Sequence, residues 1–169
     1  MSVLGCVPLR PDPTLQQKAL YLVDQGVAHL RRGEFDRAEA SFQVARELAP
    51  LAAAADGLGC VALLQGRSAQ AEQFFEEALE LDSGYTEVLG NMALLYEHTG
   101  QVERAELMYQ RALHEDPDSM RVRNNYGVFL ATKGREGRGQ AERHFLGAAA
   151  LEESGLVSAN MLKISEMEQ

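Results

Sequence analysis

The sequence predicts an all-α fold, a solenoid of four helical hairpins closed by a C-terminal helix. Three observations support this prediction. Small and bulky residues recur at spacings of 33 to 36 residues along most of the chain. Within each repeat, apolar residues fall on one face of two successive helices, at steps of three and four. A glycine stands between the two helices of every repeat. Because one hairpin cannot bury its own apolar face, the hairpins must stack on one another.

Five columns of residues keep the same register through the four repeats. The glycines between the paired helices are Gly33, Gly66, Gly100 and Gly134. Small residues of the first helices are Gly26, Gly59, Ala93 and Gly127. The second helices carry two alanine columns and an aromatic column of Phe42, Phe75, Tyr109 and Phe145. We expect the turn glycines to form left-handed C-caps, the small residues to let paired helices approach, and the rings to fill the space between hairpins.

The period and these columns resemble the tetratricopeptide repeat, whose length is about 34 residues. The resemblance is carried by segments such as GEFDRAEASFQVARELAP and GQVERAELMYQRALHEDP, and covers most of the chain. It implies a right-handed superhelical solenoid. We predict Thr14 as the N-cap of the first helix. The predicted segments are an irregular leader at 1–13, hairpins at 14–50, 51–84, 85–118 and 119–153, and a capping helix at 154–169.

The fourth repeat departs from the pattern in two ways. It has two additional residues between its helices, in GREGRGQ, and we expect Gly137 and Gly139 to make that turn flexible. Arg123 occupies the column in which the family frequently has Trp, whereas the other three repeats have Leu or Ala there. We therefore predict that the fourth hairpin packs differently around Arg123.

Composition and charge narrow the classes of partner. The 169 residues carry a net charge of −9, which disfavours nucleic acid and an anionic membrane surface and suits a basic or amphipathic target. Two cysteines cannot build a disulfide framework, and the scattered histidines show no metal-ligand spacing. No apolar run reaches the roughly 18 residues that a bilayer span needs.

Residues for catalysis are not apparent in the sequence. The sequence contains no phosphate-binding glycine loop after a strand. It also contains no nucleophile, histidine and carboxylate whose positions indicate a catalytic triad. We therefore predict a protein that is not an enzyme, with no cofactor, no bound metal and no small-molecule substrate. The predicted partner is a protein or peptide segment, bound by a monomer or a weak dimer.

The predicted binding site is the concave groove, which the first helix of each hairpin lines in such arrays. A strip of medium-sized apolar residues, edged by asparagines and one arginine, would receive an extended or helical segment, with the amides pairing to its backbone. The alternative is that the asparagines are exposed helix residues without a ligand. The candidate residues are Val23, Val27, Asp56, Cys60, Asn91, Leu94, Arg121, Asn124, Asn125 and Val128.

One mode of binding known in the family is not expected here. The Lys and Asn cluster by which chaperone-binding members hold a C-terminal carboxylate is not present in this sequence. Asp56 occupies a part of the groove that such a cluster would keep positive. Capture of a C-terminal carboxylate is therefore not predicted.

Two roles remain open within the interaction class. The segment RNNYGVFLATKG resembles pilotin-type lipoproteins, which assist secretin assembly in type IV pilus biogenesis. VLGC at 3–6 resembles the end of a lipoprotein signal, so a natural chain extending upstream would be lipidated at Cys6 and anchored to the outer membrane through that lipid alone. As written, the leader reads as irregular and the protein as cytoplasmic. The alternative role is a cytoplasmic chaperone for type III secretion substrates, to which DGLGCVALLQGR is loosely similar.

Overall fold

The architecture was analysed in a computed structural model, which describes residues 13–151 apart from the side chains of 134–136 and 149–151. Every regular element in that range is a helix, so the predicted all-α fold class is confirmed. The helices are α1 (Pro13–Arg31), α2 (Phe35–Leu48), α3 (Ala52–Leu64), α4 (Ser68–Leu81), α5 (Thr86–His98), α6 (Val102–Glu115), α7 (Met120–Ala131) and α8 (Gly134–Leu151).

Successive helices pair as hairpins, and the chain divides into two compact units at residues 81 and 82. Unit 1 contains α1–α4, and unit 2 contains α5–α8. The predicted capping helix at 154–169 and the leader up to residue 12 lie outside the described residues.

Helix α1 begins at Pro13, so Thr14 is inside the helix, and its prediction as the N-cap is wrong. Proline favours the first helical position because its fixed φ suits the helix and its missing N–H would have no intrahelical partner.

Three of the four turn glycines adopt the predicted left-handed conformation. Their φ angles are 72° at Gly33, 74° at Gly66 and 73° at Gly100. The amide of the following residue donates back to a carbonyl five residues earlier, as from Gln101 to Tyr96 at 2.8 Å. Each of these bonds satisfies a carbonyl in the last turn of the first helix, which lets the chain reverse direction.

Substitution of Gly100 should cost stability through backbone conformation alone. A Cβ at this position would meet nothing within 4 Å, so only the positive φ opposes a side chain. We expect Gly100→Ala to lower the free energy of unfolding by about 1 kcal/mol, measured by urea denaturation. Gly100→Asn is the control and should lose less, because asparagine tolerates this conformation. Equal stability of Gly100→Ala and the parent chain would contradict the prediction.

The fourth turn differs from the prediction. Helix α7 ends at Ala131, and Gly134 is the first residue of α8, so its predicted role as a C-cap is wrong. The two additional residues do not form a flexible turn; they lengthen α8 to 18 residues, against 14 in α6. Gly137 is buried, and a Cβ there would collide with the carbonyl oxygen of Leu130. The missing side chain lets the first turns of α8 lie directly against the end of α7.

The core of unit 1 is organised around one phenylalanine. The ring of Phe42 is buried between Gly26 of its own hairpin and Gly57 of the next. A Cβ at either glycine would lie 2.6 Å or less from a ring carbon. Phe75 lies against Gly59 in the same way. The predicted role of the small column is therefore confirmed at Gly26 and Gly59, and that of the aromatic column is confirmed at Phe42.

The core of unit 2 contains an aromatic cluster. Tyr109 stacks on Tyr126 of the next hairpin with ring centroids 5.2 Å apart, and it also contacts Phe129 at 5.6 Å. Burial raises the pKa of Tyr109, so its hydroxyl stays protonated and donates to Glu97 at 3.1 Å. Phe145 lies against Gly127, as the repeat pattern predicts.

Arg123 packs as an exception within this unit. Its Nε donates to the carbonyl of Pro117 at 2.6 Å, and its guanidinium lies against the backbone of Gly147. A Cβ at Gly147 would lie 2.6 Å from Nη1 of Arg123. The fourth hairpin thus differs from the others at this position, as predicted, and accommodates the arginine through an additional glycine.

Candidate functional site

In unit 1, the predicted groove residues lie on α1 and α3, whose backbones are in contact. We call Val23, Val27, Asp56 and Cys60 the unit-1 wall. Val27 is 38% exposed and Cys60 is half-buried, so both offer apolar surface to a partner. Val23 is nearly buried and belongs to the core beneath them. The accessible part of this wall is therefore narrower than the sequence predicts.

Asp56 is also nearly buried, with 9% of its surface exposed. The thiol of Cys60 is directed at its Oδ1 over 4.0 Å. Little of the Asp56 side chain is therefore open to a partner. The placement of Asp56 at the groove stays a prediction, and its burial was not predicted.

In unit 2, the predicted residues lie on α5 and α7. We call Asn91, Leu94, Arg121, Asn124, Asn125 and Val128 the unit-2 wall. Arg121 joins the two helices, because its Nη1 donates to Oδ1 of Asn91 at 2.9 Å and its Nη2 donates to the carbonyl of Glu87 at 3.1 Å. Leu94 is half-buried and Val128 is 42% exposed. This wall combines apolar surface with an ordered polar cluster.

The three asparagines of the unit-2 wall differ in accessibility. Asn91 and Asn125 are half-buried, whereas Asn124 is only 8% exposed. An amide that pairs with a peptide backbone must present both a donor and an acceptor at the surface. Asn91 and Asn125 meet the requirement of accessibility better than Asn124 does.

Among the described side chains, no group of three or more His, Cys, Asp and Glu residues could hold a metal ion. None of the described helices has the length and apolar character to cross a bilayer. Cys6, the predicted lipidation site, precedes the described residues.

Family models match both units of the chain. Two models described as tetratricopeptide repeat match residues 23–86 and 62–134, and together they extend over seven of the eight helices. The chain belongs to the tetratricopeptide repeat family. The predicted resemblance is therefore confirmed, and the tetratricopeptide repeat fold supports a role as a protein–protein interaction adaptor.

Curated relatives match part of this tetratricopeptide repeat protein. The photosystem I assembly protein Ycf3 of Synechococcus sp. (strain CC9605) is 39% identical over 83 residues, which is 47% of this chain and 47% of Ycf3. The chain thus spans about half the length of the curated relatives it matches.

Solved structures share the fold at low sequence identity. Pseudomonas aeruginosa pilF has a TM-score of 0.80 and 21% identity, with 92% of this chain and 71% of that chain covered. YrrB, a tetratricopeptide repeat protein with an unusual peptide-binding site, has a TM-score of 0.60 and 20% identity, with coverage of 89% and 77%. At these identities the likeness concerns the fold alone.

Tyr21 was not among the predicted site residues, and at 63% it is the most exposed large hydrophobic residue of the described chain. Its column holds Ala54, Val88 and Val122 in the other repeats, and all three are buried. Comparing residue types down that column would have identified Tyr21. The hydrogen bond from Arg121 to the carbonyl of Glu87 was also not predicted. Every residue has a backbone carbonyl, so the sequence does not indicate which one accepts.

Proposed function

We propose that this protein is a non-enzymatic scaffold or adaptor that binds segments of other proteins, and that the unit-1 wall and the unit-2 wall each offer a binding surface. The observation that carries the proposal is a column of accessible apolar residues on all four first helices. The members of this column are Val27, Cys60, Leu94 and Val128. Residues spaced by one repeat are equivalent in the fold, so each hairpin offers one apolar contact to a partner.

The energetics favour a peptide segment over a small molecule. Each accessible apolar side chain contributes about 25 cal/mol for every Å² that a partner removes from water, so several contacts must combine to give useful affinity. A protein segment can contact the two hairpins of one unit in succession. Asn125 flanks the apolar column in unit 2 and would pair with backbone groups of that segment, whereas Oδ1 of Asn91 already accepts a hydrogen bond from Arg121.

The test uses short peptides selected from a random library displayed with blocked C termini. We expect Leu94→Ala combined with Asn125→Ala to weaken binding of the selected peptides about tenfold, because both an apolar and an amide contact are lost. Binding is measured by fluorescence anisotropy. We chose Asn125 because Asn124 is too buried to be replaced without a cost in stability.

Leu107→Ala provides the matched control, since Leu107 is an exposed leucine on α6 and lies outside the unit-2 wall. It should leave peptide binding unchanged. Thermal unfolding of each variant establishes that the helices remain folded. If the double variant binds the peptides as tightly as the parent chain, the unit-2 wall is not the binding site and the proposal is wrong.

A finer role is assistance in assembling a larger protein complex. The Ycf3 relatives are named as photosystem I assembly proteins. The likeness to pilF and the segment at 123–134 favour a pilotin-like lipoprotein in pilus or secretin assembly. A chaperone for type III secretion substrates is the alternative. Intact-mass analysis of the protein from its natural host distinguishes these roles, because only the pilotin-like role requires a lipid on Cys6.

A further inference from the structure

We propose that the unit-2 wall selects protein segments that carry an acidic side chain, and that Arg121 pairs with the carboxylate of that aspartate or glutamate. This inference rests on the proposed binding function and names the chemistry of the ligand. It concerns a side-chain carboxylate within a segment and requires no free C terminus.

The guanidinium of Arg121 is held in position before any partner binds. Its two hydrogen bonds attach it to α5, to Oδ1 of Asn91 and to the carbonyl of Glu87. It lies beside Gly90, where a Cβ would be 3.5 Å from Nη2. Such preorganisation reduces the side-chain entropy that binding would otherwise cost.

The charge of Arg121 is not neutralised by these contacts. Both acceptors are neutral oxygens, and among the side chains that the structure describes no carboxylate forms an ion pair with Arg121. Arg46, Arg67 and Lys133, by contrast, each have a carboxylate oxygen within 3.0 Å. Arg121 is exposed and has five N–H donors, of which two are used. The remaining donors are suited to charge-assisted hydrogen bonds with a carboxylate.

The surroundings of Arg121 strengthen such a pair. Val128 lies seven residues further along α7, two turns away on the same helix face. A segment that covers Val128 and Leu94 would exclude water beside Arg121, and the attraction between opposite charges increases as water is excluded. We therefore expect the bound segment to place apolar residues close to its acidic residue.

The net charge of −9 opposes an acidic partner at long range. Physiological salt screens charges that are more than about 8 Å apart, so most of this repulsion is suppressed. The contact with Arg121 is made at hydrogen-bond distance and is screened much less. The local attraction therefore determines which segments bind.

The experiment compares the acidic peptides selected from the blocked-terminus library with versions in which the acidic residue is replaced by its amide. We expect peptides selected on the whole chain to be enriched in Asp and Glu. The amide versions should bind about fivefold more weakly, the range of an ion pair at a protein surface. Arg121→Gln should weaken binding of the acidic peptides by the same factor. The Arg121→Gln variant should bind the acidic peptides and their amide versions with equal affinity. Arg121→Lys should give an intermediate result.

Arg111→Gln is the matched control, because Arg111 is an arginine of α6 that also donates to a backbone carbonyl, that of Ser83. It removes the same charge and should leave the preference for acidic peptides intact. The comparison of acidic and amide peptides on the unaltered chain needs no substitution in the protein, so a folding defect cannot imitate the result.

Two outcomes are separable. If the selected peptides show no acidic enrichment, or if Arg121→Gln keeps the preference, this inference is overturned, while sensitivity to Leu94→Ala with Asn125→Ala still supports the binding function. If the peptides bind but ignore that double substitution, the proposed site itself fails. A library that yields no binder counts against both.

Discussion

Replacement of Phe42 by alanine is expected to lower the free energy of unfolding by about 3–5 kcal/mol, as truncation of a fully buried aromatic ring does. The ring is buried between the backbones of Gly26 and Gly57. Neither glycine has a side chain that could move into the space left behind. The cavity should therefore persist, and the loss should fall toward the upper end of this range, as measured by urea denaturation.

Phe35→Ala is the control for this prediction. Phe35 is the first residue of α2 and is only partly buried against the same core cluster. Its truncation should cost clearly less, because solvent already reaches part of the ring. If Phe35→Ala and Phe42→Ala lower the free energy of unfolding equally, the contact of Phe42 with the two glycines makes no particular contribution to stability.

Replacement of Gly59 by alanine is expected to destabilise the protein by about 2 kcal/mol. Alanine favours a helix over glycine by about 1 kcal/mol, which alone would stabilise α3. The added Cβ, however, would lie 2.5 Å from Cδ1 of the buried Phe75 ring. Overpacking of this kind costs about 1–3 kcal/mol, and we expect the upper value because the ring is enclosed. The clash therefore outweighs the gain in helix propensity.

Gly139→Ala tests whether the clash is the cause. Gly139 is an exposed glycine within α8, and a Cβ there would meet nothing within 4 Å. This substitution should raise the free energy of unfolding by about 0.5–1 kcal/mol. The two variants thus make the same chemical change with opposite expected signs. If both shift the urea midpoint in the same direction, the close approach at Gly59 is not the cause of its effect.

The sequence was sufficient to predict the helical hairpins because their signals are periodic. Residues one repeat apart have the same environment, so the columns of Gly33 and Phe42 identify turns and core together. The turn at Gly134 was predicted wrongly because residue type was taken to determine backbone conformation. A glycine is compatible with a helix as well as a turn, and here Gly137 makes room for α8 to start early.

The candidate site was predicted less completely than the fold. Helical periodicity indicates which direction a residue faces, and the accessible positions of Val27 and Val128 follow from it. It does not indicate depth, so the burial of Asp56 and Asn124 was not predicted. The hydrogen bond from Arg121 to Glu87 joins residues that are 34 positions apart in the sequence. It depends on the distance between their two helices, and no local sequence pattern indicates that distance.

The position of Phe42 between two glycines has a consequence for how unit 1 opens. If α1 detaches, the ring loses one of its two supporting backbones and its packing on α3 loosens as well. Local unfolding of the first hairpin therefore extends into the second. The smallest segment that unfolds cooperatively is larger than the smallest segment that repeats in the sequence.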